Sequence, residues 1–406
     1  MRDHGSRIDT TAVAGASRKV GKATATATAT ARIALDEPFG SEERILVLQG
    51  GGALGAYQAG AFEALAANGE TPSWVAGISI GAINAALIAG NPPERRVERL
   101  HEFWDTLTDG SFAGFPGQQS GGHAHGLFNE ISALATALFG RPGFFTPRFP
   151  PPLFQSAGTP GALSFYDTAP LQATLERLVD FDLLNKGSMR LSVSAVNVRT
   201  GNFCYFDTAH QRLDVRHIMA SGALPPGFPP IEIDGEWYWD GGLVSNTPLN
   251  YVLDRTGSPR RLVFQVDLFA ATGPLPMDLA QVIEREKDIR FSSRTRLNTD
   301  RALQRQALAQ AARRLFEKLP ARLADDPDLV ALKAATSERA VTVVHLIYRR
   351  VSHETHSKDY EFSRLSMLDH WRSGAADVMR TLTDSRWKSR PIPEDGVHVF
   401  DLTRPV

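Results

Sequence analysis

Short, mainly apolar runs recur along this chain, spaced so that a helix fits between them: "RILVLQ" (44–49), "WVAGIS" (74–79), "MRLSVSAVNV" (189–198), "RRLVFQVDLF" (260–269) and "AVTVVHLIYRR" (340–350). A strand with so little polar alternation must be covered on both faces, which is the condition of a parallel sheet. Helical spacing follows most of these runs, over Ala53–Ala67 (closed by "NG"), Ile80–Gly90, Leu100–Leu107, Pro170–Leu178, Val215–Ala223, roughly 277–322 and 363–382. Only "NFCYFDT" follows its predecessor closely enough to predict a hairpin. The rhythm predicts an α/β fold, with a mostly parallel sheet and helices on both sides.

Two stretches break the rhythm. Residues 1–40 contain "KATATATATARIA" and few large apolar side chains, so they read as a disordered low-complexity tail. They hold no continuous apolar h-region, so a secretory signal is not expected, and the cytoplasm is the expected location. Residues 109–162 are rich in Gly, Pro and Phe and read as a functional insertion, a candidate lid or pocket wall. The longest uncharged stretch, Trp74–Pro93, carries Ser79, Asn84 and several glycines and reads as strand plus helix, not as a membrane span. A net charge of -1 argues against nucleic acid as a partner. A single cysteine, Cys204, rules out an internal disulfide or a Cys-rich metal site.

The sequence "GGGALG" (50–55) places glycines between a strand and a helix, where backbone N–H groups can approach an anion. Gly50, Gly52 and Gly55 spell G-x-G-x-x-G, but a dinucleotide fold wants an acid after the next strand, and Glu70 comes before it. No Gly-Lys-Ser/Thr follows, so a Walker loop is excluded. What does follow is "GISIG" (77–81), a G-x-S-x-G at a strand-to-helix junction, the context of a nucleophile elbow. Gly77 and Gly81 leave room for the turn that exposes Ser79. The glycine loop then reads as an oxyanion hole, its anion a reacting carbonyl oxygen.

A serine nucleophile needs a base. His217, His345, His353 and His356 sit in no distinctive motif, whereas Asp240 ends the aromatic run "WYWD" and precedes Gly241 and Gly242. Its unperturbed pKa is about 3.9. Burial beside Trp237, Tyr238 and Trp239 would raise it toward a useful base. Four readings stand at this point: a Ser–Asp hydrolase, an esterase with a histidine base, a lipid- or granule-associated binding protein with little turnover, and a nucleotide-binding protein, which the misplaced acid disfavours.

Taken together, "GGGALG", "GISIG" and "DGG", in that order, with "ASGALPPGFPP" and "GGLVSNTPL" around the last, resemble the patatin-like phospholipase family over about residues 44–270. Leu54 stands where many members carry Arg. The resemblance implies a three-layer α/β/α catalytic domain over 41–275 and a C-terminal extension over 276–406. It implies Ser79 as nucleophile, Asp240 as proton acceptor, and N–H groups around Gly51, Gly52 and Ala53 as the oxyanion hole, with no metal or cofactor. The implied partner is a lipid ester, reached by peripheral association with a lipid surface. Nine Lys and Arg residues against two acids between 290 and 322 are a further candidate for contact with anionic lipid.

Overall fold

The computed structural model describes residues 42–108, 136, 138–255, 258, 260–336, 340–349, 359–390 and 396–402. The expected tail, the first half of the 109–162 insertion, His353 and His356 lie outside the described residues. The strands are β1 (Glu43–Leu48), β2 (Trp74–Gly77), β3 (Thr146–Pro147), β4 (Tyr166–Asp167), β5 (Arg190–Asn197), β6 (Phe203–Asp207), β7 (Ile231–Ile233), β8 (Glu236–Asp240), β9 (Arg260–Asp267), β10 (Ala340–Ile347) and β11 (Gly396–Asp401). β3 and β4 pair with each other, and the other nine form one sheet.

Six strands run parallel side by side in the order β11, β10, β9, β1, β2, β5. β6 returns antiparallel along the far edge of β5, the hairpin expected from sequence. Two strands share the near edge of β5: β2 pairs with residues 190–193, and β8 comes from the opposite direction to pair with 195–197. β7 pairs antiparallel with β8.

Alternation along each strand splits the apolar residues between two faces. Leu46, Leu48, Val75 and Phe264 belong to a large core with α1 (Gly55–Ala67), α2 (Ile80–Ala89) and α3 (Arg96–Thr108). Ile45, Val47, Trp74 and Val263 turn to the other face, where the short helix Leu249–Asp254 covers them. The fold is therefore the expected α/β/α with a mostly parallel sheet.

α1 is apolar nearly all round because the helix Arg364–Thr383 covers its outer side. The two backbones touch. A Cβ on Gly60 would lie 1.9 Å from the Trp371 carbonyl oxygen, and one on Gly374 would lie 2.0 Å from that of Tyr57. Tyr57 Oη donates to Asp377 (2.7 Å) and Trp371 Nε1 to Glu63 (2.5 Å). Residues 276–406 thus add two strands to the sheet and a helix to the core.

Candidate active site

The site forms where β2 and β8 end on the same edge of β5. Gly77 lies opposite Val193 and Asp240 opposite Ala195, so the chains leave the sheet two β5 residues apart, about 7 Å along the strand. Ser79 follows at once from β2, and Asp240 is the last residue of β8.

Ser79 sits at φ 56°, a left-handed conformation that costs a non-glycine residue about 1–3 kcal/mol and persists only when its surroundings over-determine it. Those surroundings can be named. The Ser79 N–H donates to Ser221 Oγ (3.1 Å), and the Gly81 and Ala82 N–H groups donate back to Ile78 and Ser79 carbonyls (2.8 and 2.9 Å). The two elbow glycines are needed for space and not for φ: a Cβ on Gly77 would lie 2.2 Å from the Gly81 carbonyl oxygen, and one on Gly81 2.4 Å from that of Leu48. Ser79 is the N-cap of α2, where the helix dipole favours developing negative charge.

Asp240 is 2% exposed. Burial pushes its carboxyl up to about 7, against the Gly242 N–H and the Ser79 hydroxyl, which both favour the carboxylate. The Gly242 N–H donates to Oδ1 at 2.7 Å. Gly241 packs on β5, where a Cβ would lie 2.7 Å from Ser194 Oγ. Of the aromatic flank expected to bury Asp240, Trp237 is 41% exposed and alternates to the other face with Trp239. Desolvation comes from the position of Asp240 in the fold, with Tyr238 alone of the three on its face.

The glycine loop lies beside them. Asn246 clamps Gly50 from both sides, its backbone carbonyl accepting from the Gly50 N–H (3.2 Å) and its Nδ2 donating to the Gly50 carbonyl (2.8 Å). Gln49, fully buried, accepts from the Leu268 and Phe269 N–H groups (2.6 and 3.2 Å) and donates to Thr247 (3.1 Å), which fixes the start of the loop to the end of β9. Gly55 meets Ile80 and Trp104, tying the loop's far end to the elbow. One expected donor is already engaged: the Ala53 N–H donates to the Asp359 carbonyl (2.9 Å). Ala53 is therefore not available to a substrate in this structure, because the chain near Asp359 crosses the loop there. Gly51 and Gly52 line the cavity, and among the described residues their N–H groups meet no acceptor.

Ser79, Asp240, Asn246 and the glycine loop line one cavity of about 400 Å³. Its other walls are Phe144, Phe145, Tyr166, Phe228, Phe291 and Phe362. The 109–162 insertion contributes the first two; Phe144 and Tyr166 pack edge to face with Phe228, and Phe145 packs edge to face with Tyr166. Neither of the two histidine candidates among the described residues joins them. His217 is buried in a capping box with Asp214, and His345 lies in β10; neither lines the cavity.

Sequence reasoning missed Ser221, Gln49, Asn246 and Asp359. Ser221 and Asn246 sit inside quoted motifs, but nothing in a lone sequence marks which motif residue bonds which. Gln49, a polar residue ending an apolar strand, was the one local signal.

A family model described as patatin-like phospholipase matches residues 46–253, and a second, described as patatin phospholipase, matches residues 289–394. Among solved structures, VipD from Legionella pneumophila aligns with 84% of this chain and 66% of its own, at 15% identity and a TM-score of 0.36. Full-length ExoU, solved with SpcU from the type III secretion system of Pseudomonas aeruginosa, aligns with 64% of this chain and 51% of its own, at 17% identity and a TM-score of 0.29. The chain spans between half and two thirds of the length of those proteins. No curated protein matches the chain.

Proposed function

The chain belongs to the patatin-like phospholipase family, and from that premise we propose that it is a serine acyl hydrolase of lipid esters working through a Ser79–Asp240 dyad. The observation that carries this reading is the meeting of a strained, cavity-facing serine with a buried aspartate whose carboxyl is pushed up to about 7. A base poised near neutral pH holds enough carboxylate to accept a proton and enough basicity to do so usefully.

The chemistry follows from the geometry. Asp240 accepts the Ser79 proton as Oγ attacks the ester carbonyl, and the Gly51 and Gly52 N–H groups receive the oxyanion. Collapse breaks the C–O bond, and the alcohol leaves with the proton from Asp240. A water deprotonated by Asp240 then attacks the acyl-enzyme, the fatty acid departs, and the proton returns to Ser79. Neither His217 nor His345 takes part.

The aromatic walls support an acyl chain as the group held in the cavity. The same insertion turns other apolar side chains outward: Phe149 is 94% exposed, Leu153 90% and Phe154 80%. Just after it, the Phe165 and Tyr166 N–H groups donate to Pro226 and Gly227 carbonyls (3.1 and 2.9 Å). Exposed apolar side chains in the segment that also supplies Phe144 and Phe145 to the cavity fit a lipid surface as the place where substrate is met. The basic stretch after 290 is a weaker candidate for that contact, since Arg290 pairs with Glu286 and Arg305 with Asp254. Among the described residues no helix is long and apolar enough to cross a membrane.

Covalent capture tests the proposal. Rapid acid quenching during turnover of a p-nitrophenyl acyl ester, followed by peptide mass spectrometry, is expected to find the acyl group on the peptide carrying Ser79. Acylation of another residue, or turnover that persists in Ser79→Ala, would refute it.

A further inference from the structure

The segment Asp359–Phe362 approaches the glycine loop from far along the chain. The Ala53 N–H donates to the Asp359 carbonyl at 2.9 Å, and Gly52, at φ 55°, passes so close that a Cβ there would lie 2.2 Å from the same oxygen. The Asp359 carboxylate is in turn held by Lys287 Nζ (2.7 Å), with both side chains mostly buried at 15% and 13% exposure. Lys287 also lies over the ring of Tyr360, 5.4 Å from its centroid. One turn further along the helix Leu279–Phe316, Phe291 joins the cavity wall, as do Tyr360 and Phe362 from the segment itself. A helix and a strap, both from the part of the chain after 276, therefore close on the loop at one point.

A glycine loop has more freedom to lose than any other, and an oxyanion hole works only if its donors are already aimed. Asn246 fixes the loop at Gly50 and Gly55 fixes it at the elbow. Between these anchors, among the described residues, the one hydrogen bond from the loop to a distant segment is that from Ala53 to Asp359. By engaging Ala53 and pressing on Gly52, the strap leaves Gly51 and Gly52 as the donors that face the cavity.

We propose that Asp359, anchored by Lys287, is a positioning residue that sets the oxyanion loop, so that the C-terminal part of the chain completes the hydrolytic site. This rests on the hydrolase reading above. The strap acts through the loop and touches no reacting atom.

The test uses the full chain and two readouts on Lys287→Met, Asp359→Gly, the conservative Lys287→Arg and the reversed pair Lys287→Asp with Asp359→Lys. Hydrogen exchange reports whether the strap holds the loop. The peptide containing Gly51–Leu54 is expected to exchange faster in Lys287→Met and Asp359→Gly, and to return toward wild type in Lys287→Arg and the reversed pair. Turnover of a soluble p-nitrophenyl ester reports whether that matters: kcat is expected to fall about tenfold or more in the first two variants at unchanged KM, as a misplacement of about 1 Å can cost. Melting temperatures separate this from general unfolding. Unchanged exchange in Asp359→Gly overturns the proposal, and so does faster exchange with kcat unchanged. A rise in kcat overturns it too, by making the strap an obstruction. Wild-type activity that survives Ser79→Ala would sink the hydrolase reading instead, and the exchange data would still decide whether the strap holds the loop.

Discussion

At the scale of single residues, Asp240 and Asp267 make an instructive pair. Both are buried, and in both burial pushes the carboxyl up to about 7. Only Asp240 lines the cavity; Asp267 is bonded to Gln265 (2.7 Å) at the end of β9. A perturbed carboxyl marks a candidate, and geometry decides between candidates. If Asp240 is the base, its active form is the carboxylate, and kcat/KM should rise with pH along a limb centred near 7. The Asp267→Asn variant should keep that limb in a pH-rate profile; a limb that vanished with Asp267 would move the base. The same shift has a stability cost. The native state keeps a proton that the unfolded chain, with a pKa of about 3.9, has released, so stability falls as pH rises from about 4 to about 7. Asp240→Asn lacks that loss and should melt above wild type at pH 8, measured by calorimetry.

At the scale of elements, the strand-to-helix turns carry both fold and site. The strained Ser79 is tolerable because Gly77 and Gly81 let β2, β1 and α2 close on one another. Gly81→Ala places a Cβ 2.4 Å from the Leu48 carbonyl oxygen, an overpacking expected to cost about 3 kcal/mol. Gly69→Ala, at the C-terminus of α1, meets nothing within 4 Å and bears only its φ of 77°, about 1 kcal/mol. Denaturant midpoints should rank them in that order; equal losses would mean that the elbow glycines serve only conformation. These elements were largely legible in the sequence, because a buried parallel strand and a helix covered on one side each write a local apolar pattern. β7 and β11 were not. Val399 is 38% exposed and His398 exposed, so β11 lacks the run that marks a strand covered on both faces. The candidate site was legible as far as Ser79, Asp240 and the glycines, whose types are dictated by local turns. Ser221 and Asn246 act across 142 and 196 residues, and no local pattern encodes a contact of that range.

Over the whole molecule, the residues after 276 are built into the unit that holds the cavity: β10 and β11 widen the sheet, one helix seals α1, and Phe291, Tyr360 and Phe362 help enclose the cavity. The insertion offers Phe149, Leu153 and Phe154 to the surroundings. Each such side chain gains about 1.5–3 kcal/mol when fully buried in an apolar phase. Replacing all three with Ser should lower the ratio of vesicle to soluble-ester turnover by about tenfold or more; an unchanged ratio would place lipid contact elsewhere. The central claim is that one serine and one aspartate, brought together at the shared edge of β5, perform the hydrolysis. The most direct test is the rate of p-nitrophenyl ester hydrolysis by wild type, Ser79→Ala and Asp240→Asn, each shown to be folded by its circular dichroism. The account predicts that both variants lose about a thousandfold or more in kcat while every histidine variant keeps its activity. Loss in Ser79→Ala with Asp240→Asn still near wild type would contradict it and return the role of base to a histidine.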